Sequence, residues 1–108
     1  MLSFLKKLTG NEKKEQLLLQ AISRDAQIVD VRTENEYKGD HIPGSINIPL
    51  NQIVAKAGEF IHSGRPVIVC CASGIRSRQA AAVLSAKGVE IYNGGSWLSL
   101  QRLIEINR

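Results

Sequence analysis

Cysteine is scarce in this chain: there are two among 108 residues, side by side at positions 70 and 71. A disulfide between neighbours is strained, so no covalent staple is available and an apolar core must hold the fold. Free thiols of this kind suit a reducing, cytoplasmic setting. Aromatics are also few: two Phe, two Tyr and one Trp. Nucleic-acid binding wants aromatic platforms interleaved with a dense basic stripe, and a net charge of +4 spread along the chain supplies neither. Nucleic acid is therefore not an expected partner. No apolar run reaches the roughly 20 residues of a membrane-spanning helix. The leading segment, Met1 to Gly10, mixes Leu2, Phe4, Leu5 and Leu8 with Lys6 and Lys7. It lacks the continuous apolar stretch and cleavage site of a secretory signal. His41 and His62 gather no further ligand type around them, so neither a metal site nor a cofactor is expected.

What is present is an ordinary globular composition, 44% apolar and 22% charged, at the length of one domain. Residues 1–16 read as an N-terminal extension with a short helix, and residues 17–108 as the domain. Asn11 to Arg24 has helical periodicity, with Leu18, Ala21 and Ile22 on one face and Asn11 as the cap. Gln27 to Val31 reads as a β-branched strand, Glu34 to Lys38 as a helical turn, His41-Ile-Pro-Gly44 as a tight turn, and Ile46 to Ile48 as a second strand. Leu50, Ile53, Val54 and Ala57 recur at helical spacing. Val67-Ile-Val-Cys-Cys71 is apolar throughout, as expected of a strand buried on both faces of a parallel sheet. A helix is expected over Ser77 to Lys87, a strand over Val89 to Tyr92, a turn at Asn93-Gly-Gly95, and a last helix carrying Trp97, Leu100 and Ile104 inward. Strands alternating with helices give an α/β class with a mainly parallel sheet of four to five strands.

Ligands of such sheets sit beyond the carboxyl ends of the strands, which here means Cys71-Ala-Ser-Gly-Ile-Arg76 and Ser77. Free amides in that turn and the following helix N-terminus favour an anion. Arg76 is expected to add a full charge and a rigid fork of donors. Together they lower the pKa of Cys71 and favour its thiolate. Gly74 lets the loop bend. Side chains alternate along a strand, so if Cys71 faces the loop, Cys70 faces the core. His41 is read as packing its turn, His62 as a surface loop residue, Trp97 as core, and Glu34, Glu36 and Asp40 as a solvated face.

Three segments in order carry a family resemblance: Ile28 to Leu50 (IVDVRTENEYKGDHIPGSINIPL), Val67 to Ala81 (VIVCCASGIRSRQAA) and Tyr92 to Trp97 (YNGGSW). They resemble the signatures of rhodanese domains. The resemblance implies a three-layer α/β/α fold. It implies a sulfurtransferase in which Cys71 is the catalytic nucleophile and carries sulfur as a persulfide. It further implies that Ala72, Ser73, Gly74, Ile75 and Arg76 cradle that sulfur, while Asp30 and Arg32, with Ser77, support the loop. Expected partners are a small sulfur donor, thiosulfate or another persulfide, and an acceptor such as cyanide, a small thiol or a protein thiol. Ala72 stands where many members carry arginine, which should weaken binding of the thiosulfate dianion. Asp40 stands where glycine commonly precedes the His-Ile-Pro-Gly turn.

Two other readings use the same loop. A cysteine phosphatase or arsenate reductase also sets a thiolate in an anion loop ending in arginine, but with one more residue between them than the four here. A sulfur-carrier or docking module would differ mainly in handing its sulfur to a protein partner.

Overall fold

The computed structural model describes residues 8–107; the amphipathic stretch of residues 1–7 lies outside the described residues. The first helix, α1 (Gly10–Ser23), is capped by Thr9 and not by Asn11. Thr9 Oγ1 accepts the Glu12 amide at 3.0 Å, and the Glu12 carboxylate accepts the Thr9 amide at 3.1 Å. Thr-Gly-Asn-Glu is thus a reciprocal capping box, which satisfies two backbone donors where Asn11 would have satisfied one. The helix passes through residue 16 without a break.

Strand β1 (Gln27–Asp30) follows, then a short helix α2 (Glu34–Gly39) opened by a second capping box, Thr33 with Glu36. After the two-residue strand β2 (Ile46–Asn47), Pro49 leads into one tight turn, Leu50–Gln52, before helix α3 (Ile53–Ser63). The periodicity from Leu50 therefore spans two elements, and His62, read as a loop residue, lies in the last turn of α3. Strand β3 is Val67–Cys71, buried at every residue. Helix α4 (Ile75–Ala86) starts two residues ahead of Ser77, because Gly74 at φ +98° closes the loop directly onto it. Strand β4 (Ile91–Ser96) and helix α5 (Trp97–Ile106) complete the chain.

Asn93-Gly94-Gly95 is not a turn but the middle of β4. Val69 pairs with Asn93 and Cys70 with Gly95, so Gly94 is the extra residue of a bulge. A side chain at Gly94 would stand 2.9 Å from Ile68 Cγ2 and Leu100 Cδ2, which explains why a glycine occupies it.

The four strands are all parallel in the order β2-β1-β3-β4. Two apolar clusters cover the two faces. One joins Val29, Val31, Val67, Val69 and Cys71 to Ile53 and Phe60 of α3 and to Ala80 and Leu84 of α4. The other joins Ile68 and Cys70 to Leu18 and Ala21 of α1 and Leu100 of α5. The result is a three-layer α/β/α fold, and alternation along β3 sends its two cysteines to opposite layers.

Candidate active site

Cys71 ends β3, and the chain then turns through Ala72, Ser73 and Gly74 into α4. Its residue is only 1% exposed, packed on its cluster side by apolar neighbours. The backbone of the turn folds back over the sulfur. The Gly74 amide donates to Cys71 Sγ at 2.9 Å and the Ser77 amide at 3.4 Å, while Ser77 Oγ lies at 3.5 Å. Burial pushes the Cys71 thiol up, but bonds from the Ser77 hydroxyl and from the amides of Ser77, Gly74 and Ser73 outweigh it and hold the pKa below its ordinary value. Cys70 has no such donors. Burial, with Asp30 adding to it, pushes its thiol up to about 12.

Ser77 is itself anchored. Its Oγ lies 2.7 Å from Asn93 Oδ1 and 3.1 Å from the Gly74 carbonyl, and Asn93 Oδ1 also accepts the Gly95 amide at 2.9 Å. The β4 bulge is thereby tied to the loop, where a Cβ on Gly74 would sit 3.4 Å from Gly95 Cα.

Arg76 departs from its expected role. Its guanidinium does not bond the sulfur; Nη1 and Nη2 donate to the two Glu36 oxygens at 2.7 and 3.0 Å. Glu36 is consequently not part of a solvated acidic face. The Arg76 hydrogen bonds and the Thr33 cap hold its carboxyl at about 2. The pattern Thr33-x-x-Glu36 marks Glu36 as a capping residue in the sequence, but nothing local signals a partner 40 positions away. Asn93 is another residue the sequence reading passed over, since Asn before Gly-Gly has the look of a turn.

Asp30 and Arg32 lie beside Cys70, not Cys71. Asp30 pairs with Cys70 across the sheet. Arg32 Nε and Nη2 bond both Asp30 oxygens at 2.8–3.0 Å, Nη2 also bonds the Asp40 carbonyl at 2.7 Å, and the guanidinium carbon sits 4.7 Å from the centre of the Trp97 ring. This pair fastens the β1 end to the Asp40–His41 turn and to α5. His41 packs that turn as expected, stacked on Tyr37 with ring centroids 3.8 Å apart. Ala72 and Ile75 are exposed on the loop. A depression of about 360 Å³ adjoins it, lined by Val31, Thr33, Pro49, Leu50, Asn51 and Arg76.

A buried thiol bonded by main-chain amides thus stands at the carboxyl end of a parallel strand. The family description of the rhodanese-like domain matches residues 14–97. The chain belongs to the rhodanese-like family. Relatives of this rhodanese-like chain include uncharacterized protein YqhL of Bacillus subtilis, 45% identical over 71 residues, which are 65% of this chain and 56% of that protein. The chain thus spans little more than half of that relative's length. The thiosulfate sulfurtransferase GlpE of Shewanella oneidensis is 32% identical over 69% of this chain and 73% of its own. The crystal structure of a rhodanese-like domain protein from Staphylococcus aureus superposes with a TM-score of 0.64 at 31% identity, covering 89% of this chain and 91% of that one. The fold and the family are thus both rhodanese-like. Chemically, the loop can keep a sulfur anion away from bulk water and surround it with fixed donors.

Proposed function

We propose that this rhodanese-like chain is a sulfurtransferase in which Cys71 carries a sulfane sulfur. The observation that carries the reading is the convergence of the Gly74 and Ser77 amides on Cys71 Sγ. The thiolate attacks the outer sulfur of a donor. A new S–S bond forms as the donor's S–S bond breaks, and the bonding pair leaves with the donor remnant, sulfite when the donor is thiosulfate. Cys71 is left as a persulfide, with its negative charge on the outer sulfur. Cyanide or a thiolate then takes that sulfur and returns the electron pair to Cys71. The same preorganised donors serve both directions, because each begins and ends with an anion in the loop.

Donor preference follows from charge. Arg76 is the sole charged side chain of residues 72–77, and Glu36 already occupies its fork. A thiosulfate dianion therefore meets neutral amides and not a free cation, so a singly charged persulfide donor should be used more readily. The exposed Ile75, and the apolar depression that Arg76 helps to line, suit a thiol carried on a protein. The phosphatase reading is disfavoured, since a guanidinium clamped by a carboxylate is not free to hold a tetrahedral oxyanion.

Intact mass spectrometry after incubation with thiosulfate or a small persulfide tests the proposal. One added sulfur atom is expected, removed by cyanide, absent in Cys71→Ser and retained in Cys70→Ser. Loading that survives Cys71→Ser would overturn it.

A further inference from the structure

Ser77 has one hydroxyl proton and three acceptors around it: Asn93 Oδ1 at 2.7 Å, the Gly74 carbonyl at 3.1 Å and Cys71 Sγ at 3.5 Å. The shortest contact is to Asn93. With the proton there, the hydroxyl lone pairs face the sulfur, and the Cys71 S–H can donate to Ser77 Oγ. The chain S–H to Oγ–H to Oδ1 is complete when Sγ bears a proton. It fails when Sγ is an anion, because the hydroxyl must then leave Asn93 and turn to the sulfur. We infer that Asn93 is a positioning residue that competes with Cys71 for the Ser77 hydroxyl, and so favours states in which Sγ is uncharged over the free thiolate.

This inference deepens the proposed function and rests on Cys71 being the sulfur carrier. In a persulfide the inner sulfur is bonded to carbon and sulfur and is neutral, while the charge sits on the outer atom. The hydroxyl can return to Asn93 in that state. Loading and unloading are then accompanied by a rotation of one O–H bond, with no bond to hydrogen broken. Asn93 makes the thiolate slightly less comfortable, hence more nucleophilic, because thiolate reactivity falls as acidity rises. The bulge is what allows this, since Asn93 faces α4 from β4 while its oxygen also fixes the Gly95 amide.

Other charged groups near Cys71 are accounted for. Arg76 of α4 is paired with Glu36 of α2, and Asp30 is paired with Arg32 beside β1. Lys14 of α1 lies beyond Gly95, its Nζ 3.5 Å from where a Gly95 Cβ would stand. None of these touches the Ser77 hydroxyl.

The pH dependence of Cys71 alkylation by iodoacetamide, read at residue level by mass spectrometry, tests the inference without requiring sulfur transfer. Asn93→Ala should move the alkylation midpoint to lower pH and raise the rate below it by roughly twofold or more. The change should vanish when introduced into Ser77→Ala. A residue that merely propped the loop would act oppositely, since losing it would slacken the donors and raise the midpoint. Asn93→Asp, of the same shape and with both acceptor contacts kept, covers the case in which the alanine variant does not fold. It should raise the midpoint, and by less in Ser77→Ala. An unchanged or raised midpoint in Asn93→Ala overturns the inference, as does an equal effect of either variant with and without the Ser77 hydroxyl. Failure of sulfur loading in the wild type would instead count against the proposed function.

Discussion

At the scale of single residues, the acidity of Cys71 is set by neutral groups. The Gly74 and Ser77 amides and the Ser77 hydroxyl bond the sulfur, whereas the full charge of Arg76 is directed at Glu36. A hydrogen bond to an ionised group contributes about 1.5–3 kcal/mol, while a half-exposed guanidinium paired elsewhere adds little. Ser77→Ala should therefore move the Cys71 alkylation midpoint upward, and Arg76→Ala should move it less. A larger effect of the arginine, measured in the same titration, would show that its charge reaches the sulfur despite Glu36. The sequence made the placement of Cys71 readable, because alternation along Val67–Cys71 and the loop beyond it leave Cys71 as the thiol that faces the loop. It did not make the partner of Arg76 readable. That contact joins α4 to α2 across the end of the sheet, and neither residue carries a local mark of the other.

At the scale of elements, strands β1 and β3 were legible because continuous β-branched runs have few other uses. Strand β4 was legible only at Ile91 and Tyr92, because the Asn-Gly-Gly that follows is turn chemistry that tertiary packing overrides. The sheet needs a residue at Gly94 with no side chain, since Ile68, Leu100 and the Val69 carbonyl already fill that space. Gly94→Ala should thus overpack the face beneath α5 and destabilise the fold by about 1–3 kcal/mol. Urea denaturation of the two proteins measures this; equal stabilities would mean that the bulge can shift outward freely. The start of α1 was misplaced for a related reason. Asn11 is a good cap taken alone, but Thr9 with Glu12 satisfies two donors at once.

For the molecule as a whole, ion pairs that join distant parts of the chain include Glu36 with Arg76 and Glu90 with Arg24. Hydrogen bonds from Arg76 and Arg24 hold these carboxyls at about 2, against an ordinary value of 4.5. An acid with a depressed pKa in the folded state contributes its stabilisation in full above the unfolded value and loses it as pH falls toward the folded one. The thermal midpoint should therefore decline between pH 4.5 and about 2, and less steeply when both Glu36 and Glu90 are glutamine. Both pairs are partly or wholly exposed, so the slope should also flatten in high salt.

The depth of Cys71 separates its two chemical lives. A disulfide places two sulfurs about 2.05 Å apart, and a second protein cannot bring its own thiol that near to an atom folded beneath Ala72 to Gly74. Unloaded, the residue is thus sheltered from cross-linking with bulky thiols. In the proposed cycle the loaded sulfur stands one bond further out, so the atom that a large acceptor would meet is the cargo, and the residue that carries it stays out of reach.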